Sequence, residues 1–200
     1  MAGRDEAVSV AGRDRLTASV LGMALFLASE VMFFGALFGA YYTIRSRAGA
    51  WPPAGTPELG LVLPGILTAV LLTSSVTQHL ADRAAHDHRD RALGRWLWLT
   101  ILLGAGFLAG EAWEWRELSS EGFSVSSNAF GTLFFTITGF HGLHLLGGLV
   151  VLVLALKKAR SAAEPVHRAG AMTAATLYWH FVDAVWIFVA LTVYVVPTLG

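Results

Sequence analysis

Five long apolar runs, each parted from the next by a short polar connection, constrain this chain more than any other feature. They fall at about 17–44, 59–81, 96–116, 128–156 and 172–197. Each reaches the roughly 20 residues that a helix needs to cross the hydrocarbon of a bilayer. Irregular backbone finds no hydrogen-bond partners in lipid, so each run is expected to be helical. The pattern predicts an all-α membrane protein, a bundle of five transmembrane helices over 17–200 behind a polar N-terminal segment, 1–16. The first run is too long for a signal-peptide core and no small-residue cleavage site follows it, so it reads as a retained helix. Only 14% of residues are charged, against 55% apolar, and the charges bunch in the connections. That excludes an ordinary soluble domain.

Loop charges set an expected orientation. Arg4, Arg13 and Arg15 precede the first run, Arg83, Arg89, Arg91 and Arg95 follow the second, and Lys157, Lys158, Arg160 and Arg168 follow the fourth. The opposite side holds Arg45, Arg47 and Arg116. An excess of Lys and Arg marks the cytoplasmic side, which places the N-terminus inside and the C-terminus outside. The absence of cysteine rules out disulfides, iron–sulfur clusters and c-type haem attachment on this chain. With zero formal net charge and no basic patch, nucleic acid is not an expected partner.

The connections carry their own signals. "AGAWPPAGTPELG" (48–60) reads as a proline-rich turn, with Trp51 where an interfacial aromatic belongs. "DRAAHDHRDR" (82–91) reads as a hydrophilic loop, and its His86 and His88 as solvated residues rather than a metal clamp. "SSEGFSVSSN" (119–128) ends in Ser and Asn, which can cap the fourth helix. Gly35 and Gly39, and Gly106 and Gly110, have the spacing that lets helices approach closely in lipid.

Titratable groups at bilayer depth are costly unless they face protein or water, and this chain repeats one spacing. Glu111 and Glu114, His141 and His144, and His180 and Asp183 are each three residues apart, which sets both members on one helix face. Thr173 and Thr176 extend the stripe on the fifth helix, and Gly148 lies on the histidine face of the fourth. Glu30 stands alone in the first helix and is by default a functional candidate; without a cationic partner it is a neutral acid, because burial disfavours charge.

Three readings of these pairs stay open: a metal site, a proton relay and a hydrogen-bonded network that fixes helix packing, the last ranking first. Helical di-metal sites use such carboxylate and histidine pairs. At 1.5 Å rise per residue, Glu111 is placed roughly 20 Å from the inner surface and His141 and His180 roughly 10 Å. On that count the carboxylates of the third helix are out of reach of the histidines. A reduced set of His141, His144, His180 and Asp183 keeps a stand-alone membrane metalloenzyme in view. The cytoplasmic histidine clusters of membrane desaturases have no counterpart among only seven histidines.

Four stretches together have a recognisable look: "FLASEVMFFGALFGAYY" (26–42), "WPP" (51–53), "TGFHGLHLLGG" (138–148) and "YWHFVDAVWIF" (178–188). They closely resemble subunit III of haem–copper oxidases, in order and approximate spacing. The resemblance implies an accessory subunit without haem or copper, packed against subunits I and II of a bacterial inner-membrane oxidase that reduces oxygen to water and pumps protons. It further implies support for proton uptake and stability of subunit I, and tightly bound phospholipid. Glu30 matches the family's buried carboxylate, a position known for carbodiimide reactivity. Glu114, His141, His144, His180 and Asp183 match signature positions. Lys158 matches a basic position near phospholipid head groups, with Lys157 and Arg160 beside it; these and Trp51 are the candidate lipid contacts. Many members have seven helices where five are seen here, and Glu111 stands where many cytochrome c oxidases have Gln. "WPP" and "SEVMFF" lean toward the cytochrome c type; the alternative is the matching subunit of a quinol oxidase or nitric-oxide-reductase-type complex. The resemblance implies no catalytic or metal-binding residue on this chain.

Overall fold

A computed structural model describes the backbone of residues 2–161 and 165–199 and the side chains of 19–157 and 170–199. It is entirely helical among these residues: α1 (Ala2–Arg47), α2 (Val62–His86), α3 (Asp90–Ser120), α4 (Ala129–Ser161) and α5 (Pro165–Val189), the last continuing through a π-helical turn, Ala190–Val195, into the single turn α6 (Val196–Thr198). The five stretches long and apolar enough to cross a membrane are Ser19–Arg47, Val62–His86, Asp90–Ser120, Ala129–Lys157 and Gly170–Thr198. All five expected spans are present.

The expected loop at 82–91 is not a loop. α2 runs to His86 and α3 starts at Asp90, so the connection is Asp87–Arg89. Hydropathy marks where a helix leaves the apolar layer, whereas the hydrogen-bond ladder continues as long as neighbours support it. Here Ala84 and Ala85 are buried against the bundle and carry α2 past the polar boundary. His88, at φ 56°, takes the left-handed conformation that commonly ends helices, and Arg89 N–H returns to Ala84 O at 2.9 Å. His86 Nδ1 lies 2.9 Å from Asp82 O. The H-x-H pair therefore lies at the turn that closes α2. The backbone of α1 is helical from Ala2, so the helix continues through the polar N-terminal segment ahead of the span that starts at Ser19.

At the other end of the bundle, Asn128 caps α4: Gly131 N–H donates to its Oδ1 at 2.8 Å, while its Nδ2 donates to Thr56 Oγ1 in the 48–60 turn at 2.9 Å. One side chain thus starts a helix and fixes a loop.

Four helices close a ring in which α2 packs on α3, α3 on α4, α4 on α5 and α5 on α2. α1 lies outside this ring, chiefly against α5 and marginally against α4, and of its described side chains few are buried. The core is aromatic; Trp179, Trp186, Tyr41, Tyr194, Phe107, Phe130 and Phe134 are its largest fully enclosed side chains. Missing Cβ atoms make room for them. A Cβ built on Gly104 would lie 2.6 Å from Trp179 Cη2, and one on Gly148 would lie 3.1 Å from Tyr178 Cε1. Gly148 thus marks a close helix approach, as its place on the histidine face predicts. The two G-x-x-x-G pairs divide: Gly110 faces Leu67 across the α2–α3 contact, whereas Gly35, Gly39 and Gly106 have nothing within 4 Å.

Candidate functional site

Glu30 is not alone. Its Oε2 lies 2.8 Å from His144 Nε2, across the α1–α4 contact. The two side chains retain 17% and 15% exposure respectively, and the imidazole lies near the rings of Phe33 and Phe34. The other ring nitrogen, Nδ1, is 2.7 Å from Phe140 O. A carbonyl can only accept, so Nδ1 carries a proton. One further proton is then shared between Nε2 and Oε2, either as neutral acid and neutral imidazole or as carboxylate and imidazolium. Tyr178 O–H donates to His144 O at 2.9 Å and ties α5 to the same point. The expectation of an isolated carboxyl is corrected: the partner was hidden in the "FHGLH" motif, which no spacing rule connects to residue 30.

His141, three residues before His144, faces elsewhere. It is fully buried, 5.5 Å from the ring of Phe107 and 5.0 Å from that of Trp186, centroid to centroid. Neither of its nitrogens makes a hydrogen bond among the described residues. The two histidines, about 60° apart around the helix, therefore meet different neighbours.

Glu111 corrects the depth argument. Its Oε2 lies 2.6 Å from where a Cβ on Gly142 would stand, so the carboxyl rests on α4 at the residue that follows His141. Counted from the shared end of the two helices, Glu111 is about 14 Å from Ser120 and His141 about 18 Å from Ala129. α3 runs to Ser120, past the apolar run that ends at about 116, and this sets Glu111 deeper from that end than the boundary of the run implies. Glu114 is bound instead to the last helical segment, where Tyr194 O–H donates to its Oε2 at 2.6 Å. Tyr194 lies in the π-helical turn, whose extra residue per turn shifts its side chain in register relative to an α-helix.

His180 and Asp183 separate as well. Ser75 Oγ lies 2.6 Å from His180 Nδ1, and Asp183 Oδ2 is 4.0 Å from the same nitrogen, beyond hydrogen-bond reach. Asp183 is buried with both oxygens unpartnered, whereas His180 keeps 41% of its side chain exposed. His180 points partly outward while Asp183 points in, because an i, i+3 offset of about 300° leaves some 60° between the two directions. Glu30, Ser75 and the rings of Phe107 and Trp186 lie against His144, His180 and His141 respectively, so the three histidines of the reduced metal set have separate neighbours. Among the described residues no three His, Asp or Glu side chains stand close enough to share an ion.

The lipid candidates divide. Trp51 Nε1–H donates to Tyr41 O–H at 2.9 Å, fixing the 48–60 turn to the end of α1. Lys157 is exposed at the far end of α4. The side chains of Lys158 and Arg160 lie outside the described residues.

Comparison with known proteins gives this geometry its context. The family model described as cytochrome c oxidase subunit III matches residues 13–197. The chain belongs to the cytochrome c oxidase subunit III family. Among subunit III relatives, a probable cytochrome c oxidase subunit 3 of Nocardia farcinica is 43% identical over 88% of this chain and 87% of its own length. That of Synechocystis is 39% identical over 88% and 74%, and that of Thermostichus vulcanus 37% over 88% and 86%.

In this member of the subunit III family, several structural residues escaped sequence reasoning. Gln78 Nε2 donates to Thr176 Oγ1 at 2.9 Å, Trp179 Nε1 to Ser74 Oγ at 3.0 Å, and Trp186 Nε1 to Thr68 Oγ1 at 2.9 Å. Polar residues of α2 at positions 68, 74, 75 and 78 thus meet α5, and their helical spacing within an apolar run was the available signal. Tyr194 had none, because the π turn that aims it is not written in hydropathy.

Proposed function

We propose that this chain is the accessory, non-redox subunit III of a proton-pumping aerobic oxidase of the cytochrome c type, seated beside subunits I and II in a bacterial inner membrane. The observation that carries this reading is the family match over residues 13–197, which spans every helix of the bundle rather than one motif. Haem and copper belong on the partner subunits; the described His, Asp and Glu side chains of this chain do not converge on a metal position. The N-terminus faces the cytoplasm, in keeping with the excess of Lys and Arg at that end of the bundle. Phospholipid binds along the helices, with Trp51 near the outer interface and Lys157, Lys158 and Arg160 near the inner one.

In this role the chain contributes protein surface and buried protonatable groups, not electron transfer. The shared proton between Glu30 and His144 and the enclosed carboxyls of Glu111, Glu114 and Asp183 stiffen the bundle beside subunit I and support its proton uptake and stability during turnover. Affinity purification of the chain from native membranes in mild detergent tests the assignment. The expected product is a multi-subunit complex with haem absorbance that oxidises reduced cytochrome c. Recovery of the chain with no haem protein overturns the assignment, and oxidation of quinol in place of cytochrome c moves it to the quinol branch.

A further inference from the structure

A groove of about 300 Å³ runs along the outward side of α3 and α4, lined by Leu108, Glu111, Trp115, Gly139, Gly142 and Leu146 among others. Its walls are apolar, and one carboxyl, that of Glu111, lies among them. Glu111 is 5% exposed and its Oε1 has no hydrogen-bond partner. The other polar group of the lining is already engaged, since Trp115 Nε1–H donates to Thr138 Oγ1 at 3.2 Å.

The carboxyl lies deep. Glu111 is about 9 Å along the axis from the midpoint of α3, inside a hydrocarbon half-thickness of about 15 Å. Acyl chains carry no donor or acceptor, and head groups do not reach this level, so lipid leaves the group unsatisfied at a cost of several kcal/mol. A protein side chain can satisfy it. The terminal torsion of Glu is broad, which allows the carboxyl to turn an oxygen toward an occupant of the groove.

The adjoining surface of α3 is also suited to a helix. Ala105, Gly106, Ala109 and Ala112 are all exposed there, and a Cβ on Gly106 would have nothing within 4 Å. Small residues in such a strip let a second backbone approach closely. Leu143, 60% exposed, and Leu146, 50% exposed, border the groove as ridges. At Gly139 and Gly142 the spaces left by the missing Cβ atoms hold Trp115 and Glu111, which line the same groove.

We propose that the α3–α4 face is the seat of a transmembrane helix from another subunit of the complex, with a polar side chain of that helix hydrogen-bonded to Glu111. This rests on the reading of the chain as an oxidase subunit and names the face through which it assembles. The small-residue strip admits the backbone, the groove takes side chains, and the carboxyl fixes the register of the pair.

The test uses the complex purified with a photo-reactive benzoylphenylalanine at position 143. Irradiation is expected to join this chain to a transmembrane segment of another subunit, identified by mass spectrometry of the adduct. Adducts with phospholipid alone, or only within this chain, overturn the proposal while a haem-bearing complex still upholds the assignment as subunit III. Absence of any co-purifying oxidase removes both. Independently, Glu111→Leu is expected to increase loss of the chain from the complex on detergent challenge by about three- to eighteen-fold, the range of a membrane-buried hydrogen bond. Glu111→Gln, which keeps shape and hydrogen-bonding capacity, is expected to stay within about twofold of the unmodified complex. Equal retention of the Leu and Gln variants counts against the proposed bond. A Leu variant that fails to fold leaves the photo-adduct at position 143 as the deciding measurement.

Discussion

Removing either partner of the Glu30–His144 pair should expose how strongly α1 depends on it. The contact is 2.8 Å long and both side chains are more than four-fifths removed from the surface, so water does not replace a lost partner. Glu30→Ala leaves Nε2 unpaired near Phe33 and Phe34, and His144→Ala leaves a carboxyl beside the same rings. An orphaned buried group costs about 1–3 kcal/mol. The interaction itself is worth less, because the unfolded chain in a membrane also finds partners; measured couplings there average about 0.6 and reach about 1.7 kcal/mol. A double-mutant cycle of Glu30→Ala and His144→Ala, read by SDS titration of tryptophan fluorescence in mixed micelles, is therefore expected to give a coupling of about 1 kcal/mol. The singles should each lower stability by more than that, and the double by less than their sum. A coupling below about 0.3 kcal/mol, the ordinary error of additivity, would show that the two side chains do not bond. The same variants serve a chemical test: Glu30→Ala should abolish labelling by an apolar carbodiimide without dispersing the complex, and undiminished labelling would assign the reactive carboxyl elsewhere.

Gly104→Ala places a methyl 2.6 Å from Trp179 Cη2, a fully buried ring tethered to Ser74; overpacking of about 1–3 kcal/mol outweighs the roughly 1 kcal/mol gained in helix propensity, so the SDS midpoint should fall. Gly35→Ala, with nothing within 4 Å, should leave that midpoint level or slightly raised, and equal losses at the two glycines would refute the packing argument. Tyr194→Phe strips the 2.6 Å donor from the buried Glu114 carboxyl and should cost about 1–3 kcal/mol in the same titration; an unshifted midpoint would mean that the bond contributes nothing. Asn128→Ala removes a helix cap and its tie to Thr56, an expected loss of about 1 kcal/mol, checked by proteolysis of the 119–128 connection, which should quicken.

The sequence by itself determined the number of spanning helices and their approximate places, because a backbone in lipid has no partner except itself and apolar length is directly readable. It also determined the capping by Asn128 and the close approach at Gly148, both consequences of short-range geometry. The family membership was legible in four motifs spread over the chain. Tertiary structure alone decided which polar residue meets which. Glu30 meets His144 across 114 positions of chain, Tyr194 meets Glu114 through a π turn, and Glu111 lies against Gly142, a contact that depths counted along the apolar runs do not reveal. Helical periodicity states which face a side chain occupies but not what that face will touch. That is settled by how five helices pack, where a missing Cβ at Gly142 or one extra residue in the turn before Tyr194 decides the partner of a buried carboxyl.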